Sequence, residues 1–211
     1  SIDDLLRLVQ GLGQMGAQQQ QRKQRAFDEL HKEYESGISG IYDNSQLNLR
    51  KSQFDKYYQE NKANMDENTL AKYELLDQKF KFQEQQNNDY IQGLERTKEI
   101  GNQVESALMD YSDINANTSL SESEKSDLRK EKMANVQSLV DGYTSFSGDF
   151  RRNHGERLNK AGFRQDAAYI ANLNEMFTFG IVQAKDDYLL DNAEAEALAL
   201  GVQTGSYEPI K

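Results

Sequence analysis

The chain has no cysteine, no tryptophan and a single proline, Pro209, in 211 residues. Without cysteine there is no disulfide, thiolate metal site or cysteine nucleophile. With one proline near its end, almost the whole chain is free of the strongest helix breaker. Apolar residues are scarce as well: 36% of the sequence is hydrophobic, and the mean hydropathy is −0.89. No run of 18 uncharged apolar residues occurs, so no helix is expected to span a bilayer. Positive charge is in deficit, with 25 Lys and Arg against 35 Asp and Glu, a net charge of −10. That balance disfavours general attraction to nucleic acid or anionic membrane.

What the chain has in quantity is amide, 20 Gln and 16 Asn. A thin supply of core formers, few breakers and many polar helix-tolerant residues point to long helices with narrow apolar stripes. The expected fold class is all-α, an elongated long-helix bundle organised around a central antiparallel helical hairpin over residues 90–146. In the first arm Tyr90, Leu94, Thr97, Gly101, Val104, Leu108 and Tyr111 recur at alternating steps of four and three, as in coiled coils and bundles. The second arm carries Leu128, Val136, Leu139, Val140, Tyr143 and Phe146 on one face. The turn-forming cluster 115–121 separates the arms, and Ser121 with Glu124 has capping-box spacing. Leu94, Val104, Leu108, Val136, Leu139 and Tyr143 are the expected hairpin core.

Three regions are expected. Residues 1–16 read as a short amphipathic N-terminal helix with Ile2, Leu5, Leu6, Val9 and Leu12 on one side. Asp3 and Asp4 stand where a secretory signal carries positive charge, and they suit a helix N-terminus. Gly11, Gly13 and Gly16 match G-x-G-x-x-G, but no buried strand precedes them, so a joint between helices is expected. Residues 17–146 form the long-helix and hairpin region. Its stripes include Phe27, Leu30, Tyr34, Ile38 and Ile41, and later Leu70, Tyr73, Leu76 and Phe80; the second fades through the amide run 83–88. Asp66 or Asn64 is available as a cap in a turn over 61–68.

Residues 147–211 change texture: a Gly-punctuated basic segment, an apolar helix over 167–184, an acidic helix over 186–200 and a loose tail. Arg151, Arg152, Arg157, Lys160 and Arg164 face one acid, Glu156, a local net of +4. These cations are candidate contacts, with phosphates on packaged DNA or, as the preferred expectation, with the acidic stretch 186–196 of the same or a neighbouring subunit. Tyr169, Met176 and Phe177 on the apolar helix are candidate contacts between subunits. A head-to-tail meeting of basic and acidic stretches leads us to expect a homo-oligomer, a ring before a two-fold dimer.

Chemistry-bearing patterns are sparse. His31 and His154 lie far apart with no metal-ligand spacing around them, so no metal, cofactor or catalytic residue is expected. Glu35-Ser36 resembles the start of the lytic transglycosylase motif, in which a Glu serves as acid. The later elements of that motif do not follow, which leaves a cell-wall hydrolase as a remote alternative.

The apolar N-terminal segment followed by four glutamines and Arg22-Lys23-Gln24, in an acidic, amide-rich, cysteine-free chain, resembles the internal virion (ejection) proteins of tailed bacteriophages. The resemblance is one of texture and covers mainly residues 1–146. It implies a helical structural subunit that oligomerises in the virion with other virion proteins and takes part in genome delivery. The net charge of −10 leaves only weak DNA contact expected, and the lack of a strongly hydrophobic segment argues against a membrane-spanning role for this chain alone. A cytoplasmic helical scaffold or adaptor is the alternative.

Overall fold

The computed structural model describes residues 2–11, 16–187 and 189–204, with the backbone alone for 8–11, 17 and 204. Among them the fold is all-α with seven α-helices: α1 (Ile2–Gly11), α2 (Ala17–Ile38), α3 (Asn44–Asn61), α4 (Glu67–Ala116), α5 (Glu122–Leu158), α6 (Arg164–Asp186) and α7 (Asn192–Thr204). Residues 12–15, which hold most of the glycine-rich joint, and the tail 205–211 lie outside the described residues. The chain divides into two compact units, residues 1–89 and 90–211.

The hairpin is longer than its sequence signature. α4 has 50 residues and α5 has 37, against arms of about 24 read from the pattern. Buried or half-buried residues of α4 include Thr69, Tyr73, Leu76, Phe80, Gln83, Asn87, Tyr90, Leu94, Thr97, Gly101, Val104, Leu108 and Tyr111. Their steps alternate between four and three without a break. The stripe that fades at 83–88 in the sequence therefore stays in phase, and two amides occupy its seam positions. Asn87 is fully buried, and its Nδ2 donates to the Ile41 carbonyl (3.0 Å) and to Asn44 Oδ1 (2.9 Å). Gln83 Nε2 donates to Asn87 Oδ1 at 3.0 Å. Buried amides satisfied in this way cost little and fix register.

In the first unit α2 and α4 run parallel. Gln24 bonds the turn at Asn64 and Thr69, Asp28 pairs with Lys72 and Glu35 with Lys79. α3 returns antiparallel, so Asn44 meets Asn87 while Phe54 stacks near Tyr73, with ring centroids 5.7 Å apart. The core is a mesh of rings: Phe54 also neighbours Tyr34, Tyr58 and Phe80. α1 adds Ile2, Leu5 and Leu6 to that cluster. Asp43 caps α3, accepting from the Ser45 amide at 2.7 Å, and Asp66 accepts from the Thr69 amide at 2.8 Å at the start of α4.

In the second unit α5 packs antiparallel on α4. Asn115 meets Arg129, Asp110 meets Lys132, and Tyr90 meets Phe150. The expected capping box forms: Ser121 Oγ accepts from the Glu124 amide, and Glu124 accepts from the Ser121 amide. α6 runs parallel to α4, and α7 folds back against α5 and α6. Val104, Val136 and Tyr143 are buried, whereas Leu94, Leu108 and Leu139 pack half-buried on the edges of the clusters.

Several boundaries move. The division expected at 146/147 falls inside α5, because the glycines there do not break a helix held by packing; Phe150, His154 and Arg157 continue its buried seam. The acidic stretch expected as one helix is split, with α6 ending at Asp186 and α7 starting at Asn192. A second capping box, Asp191 with Glu194, sets that start.

Candidate functional site

The five cations expected to act as one strip have different surroundings: Arg151, Arg152 and Arg157 lie on α5, Lys160 follows it and Arg164 opens α6. Arg151 donates to the carbonyls of Val202 (2.9 Å) and Gln203 (2.7 Å), which makes it a cap for the C-terminus of α7, where a positive charge is favoured. It reaches the end of α7 and not that helix's acids. Arg152 pairs with Asp149 one turn earlier on α5. Arg157 is 6% exposed, its guanidinium 4.7 Å from the centre of the Tyr90 ring. Tyr90 in turn donates to Asp166 at 2.6 Å. Burial and that carboxylate push the Tyr90 hydroxyl pKa well above its ordinary value. Lys160 and Arg164 are exposed. Two of the five cations, Arg151 and Arg157, are thus built into the second unit, and Arg152, Lys160 and Arg164 are left exposed.

The apolar candidates on α6 are displaced likewise. Phe177 sits in the core of its own chain, edge-on to Tyr143 at 4.4 Å, and Tyr169 and Met176 pack half-buried against the same cluster. On the outer face of the same helix Phe179 and Val182 are exposed.

Glu35 lies 3.0 Å from Lys79 Nζ and 3.5 Å from His31 Nε2. The hydrogen bond from Lys79 holds its carboxyl below the ordinary value. A general acid is served by the opposite shift. His31 Nε2 is also 3.1 Å from the Lys72 carbonyl, a bond that ties α2 to α4. Among the described residues no group of three or more His, Cys, Asp or Glu is placed to hold a metal, and no helix is long and apolar enough to cross a membrane.

The feature that the sequence reading passed over is the outward face of α4 in the first unit. Ala71, Leu75, Gln78, Phe82 and Gln85 are all exposed, Leu75 at 58% and Phe82 at 61%. They follow one another at steps of four and three, a second seam opposite the buried one. A groove of about 720 Å³ flanks it on the α2 side, lined by Asp28, His31, Glu35, Lys72, Lys79 and the two apolar side chains. On the α3 side lies a groove of about 600 Å³, with Tyr58, Glu74, Asp77 and Lys81 in its walls. The remaining face of this bundle, between α2 and α3, is where α1 packs: Ile2 and Leu6 lie with Tyr34 and Tyr57. The signal was present in the sequence, but its large apolar members are only two and a stronger stripe lies alongside.

No protein-family model, curated protein or solved structure matches the chain.

Proposed function

We propose that the chain is a structural subunit of a larger assembly, an internal protein of a tailed-phage particle that oligomerises with its neighbours and leaves with the genome. The observation that carries the assembly part is the outward seam of α4, with Leu75 and Phe82 held more than half exposed on a well-formed helix. Large apolar side chains aligned on a rigid face are a standing incentive for association. The virion part rests on the texture of the sequence: acidic, rich in Gln and Asn, free of cysteine and nearly free of proline.

DNA contact in this reading is weak. The cations once grouped as a strip are partly committed to helix capping and ring stacking, and the net charge opposes binding. Partners are other copies and other virion proteins. The test is fractionation of intact and emptied particles. The expected result is a chain protected from protease in full particles and missing from shells after ejection. A chain absent from particles that still self-associates would point to a cellular scaffold or adaptor. A chain that stays monomeric at high concentration, with and without its neighbouring proteins, would remove the assembly reading altogether.

A further inference from the structure

Resting on that assembly reading, we infer that the outward face of α4 is a two-fold contact with a second copy of this chain, the two α4 helices running antiparallel about Gln78. The occupant follows from the symmetry of the face itself. Leu75 and Phe82 lie seven residues apart along the seam, and Glu74 and Lys81 lie seven apart along its α3 edge, facing the same groove. The midpoints of both pairs fall within one residue of Gln78. A two-fold axis at Gln78 therefore sets Leu75 beside Phe82 of the other copy, twice. It also sets Glu74 across from Lys81, twice, because such an axis keeps the α3 edges of the two copies together.

These placements match those of an antiparallel coiled coil, in which alternating four- and three-residue steps form the seam and the flanking charges set orientation. A parallel pair would turn the α3 edge of one copy toward the α2 edge of the other and form neither Glu74–Lys81 contact, so these charges favour the antiparallel arrangement. On the α2 edge Lys72 and Lys79 recur in both copies, each paired in its own chain with Asp28 at 3.4 Å or Glu35 at 3.0 Å, and on the α3 edge Lys81 is likewise paired with Asp77 at 3.1 Å, so Glu74 of the other copy joins an existing ion pair. The grooves on either side give the partner's flanking side chains room to enter. The contact is isologous. On its own it makes a pair, and growth into a ring or stack takes a second, different face.

The test uses the full chain, which has no cysteine, so a single introduced thiol reports unambiguously. Sedimentation equilibrium should show a concentration-dependent dimer. Gln78→Cys should crosslink to itself through a short bismaleimide, whereas Glu99→Cys should not. Phe82→Glu should weaken the pair by roughly 30-fold or more while the helical circular dichroism and the melting temperature stay as in the parent. Glu74→Lys and Lys81→Glu should each weaken it, and the double exchange should restore it. A chain that is monomeric throughout, with no crosslink at 78, overturns the inference. So does a monomer whose seam binds only a different protein. An oligomer that persists in Phe82→Glu without a crosslink at 78 overturns the two-fold contact and leaves the assembly reading standing.

Discussion

The two units close their interiors by opposite means. The first fills the space between helices with rings: Phe27, Tyr34, Phe54, Tyr57, Tyr73 and Phe80 are all buried in one cluster. The second brings helices close together. A side chain at Gly101 would put a Cβ 2.6 Å from Leu173, and one at Gly180 would put it 2.7 Å from Leu108. Its larger cluster is mostly aliphatic, built from Val104, Val136, Val140, Leu173, Ile181 and Val202 around Tyr111, Tyr143 and Phe177, while a smaller one gathers the rings of Tyr90, Phe150 and Phe163. A chain with few core formers can be closed either with large side chains across wide spacings or with glycines at narrow ones. The two units also differ in what they leave outside. The first carries a two-groove outer face, and the second uses two of its arginines internally.

The largest test of this contrast is Phe54→Ala, which removes the ring that the other rings of the first unit share. We expect a loss of about 3–5 kcal/mol in urea titration, with the early loss of tyrosine signal coming from that unit. Next comes spacing. Gly101→Val should cost about 1–3 kcal/mol through overpacking, whereas Gly155→Ala, with nothing near its new Cβ, should stabilise by about 0.5–1 kcal/mol. If both substitutions act alike, close approach is not what the second unit depends on. Asn87→Leu removes the donor to Asn44 Oδ1 and leaves the Ile41 carbonyl only the longer bond from Gln83 at 3.3 Å, and should cost about 1–3 kcal/mol. Leu108→Ala should cost less, about 1–2 kcal/mol, because Leu108 is half-buried.

The smallest effect is that of acid. Glu35 in the first unit and Glu124 in the second both have carboxyl pKa values held below the ordinary 4.5, the first chiefly by Lys79 and the second by the Ser121 amide. Their stabilisation is complete above that value and is lost as pH falls through the depressed folded-state values. Asp141 works the other way: burial raises it above 3.8, so its contribution is present in acid and lost as pH rises. Melting followed between pH 6 and pH 3 should show a shallow acid decline, reduced in Glu35→Gln. An unchanged slope in that variant would remove the Lys79 pair from the account.

Much of the second unit was legible because its pattern is apolar. The steps from Tyr90 to Tyr111 and the Ser121–Glu124 box are statements about helix geometry that hold whatever the helices touch. Asn87 was not legible, since an amide reads as solvated until a carbonyl from a neighbouring turn is placed against it. Arg151 and Arg157 were not legible for the same reason: a cation's partner is set by distance in space, and their partners are the end of α7 and a ring on α4. Phe82 shows the limit from the other side. Its spacing from Leu75 is in the sequence, but only packing decides which of two parallel seams is turned inward.

Composition and periodicity by themselves determined that this protein is all-α, that its longest helices form an antiparallel hairpin, and where that hairpin turns. These depend on backbone hydrogen bonds and on steps of three and four residues, which are local. The tertiary structure alone decided that α4 continues without interruption from Glu67 and that two units close by rings and by glycines. It alone gave the five cations their different surroundings, and it left Leu75 and Phe82 on the surface. Each of those outcomes depends on which distant residue occupies the space opposite, and no local pattern contains that information.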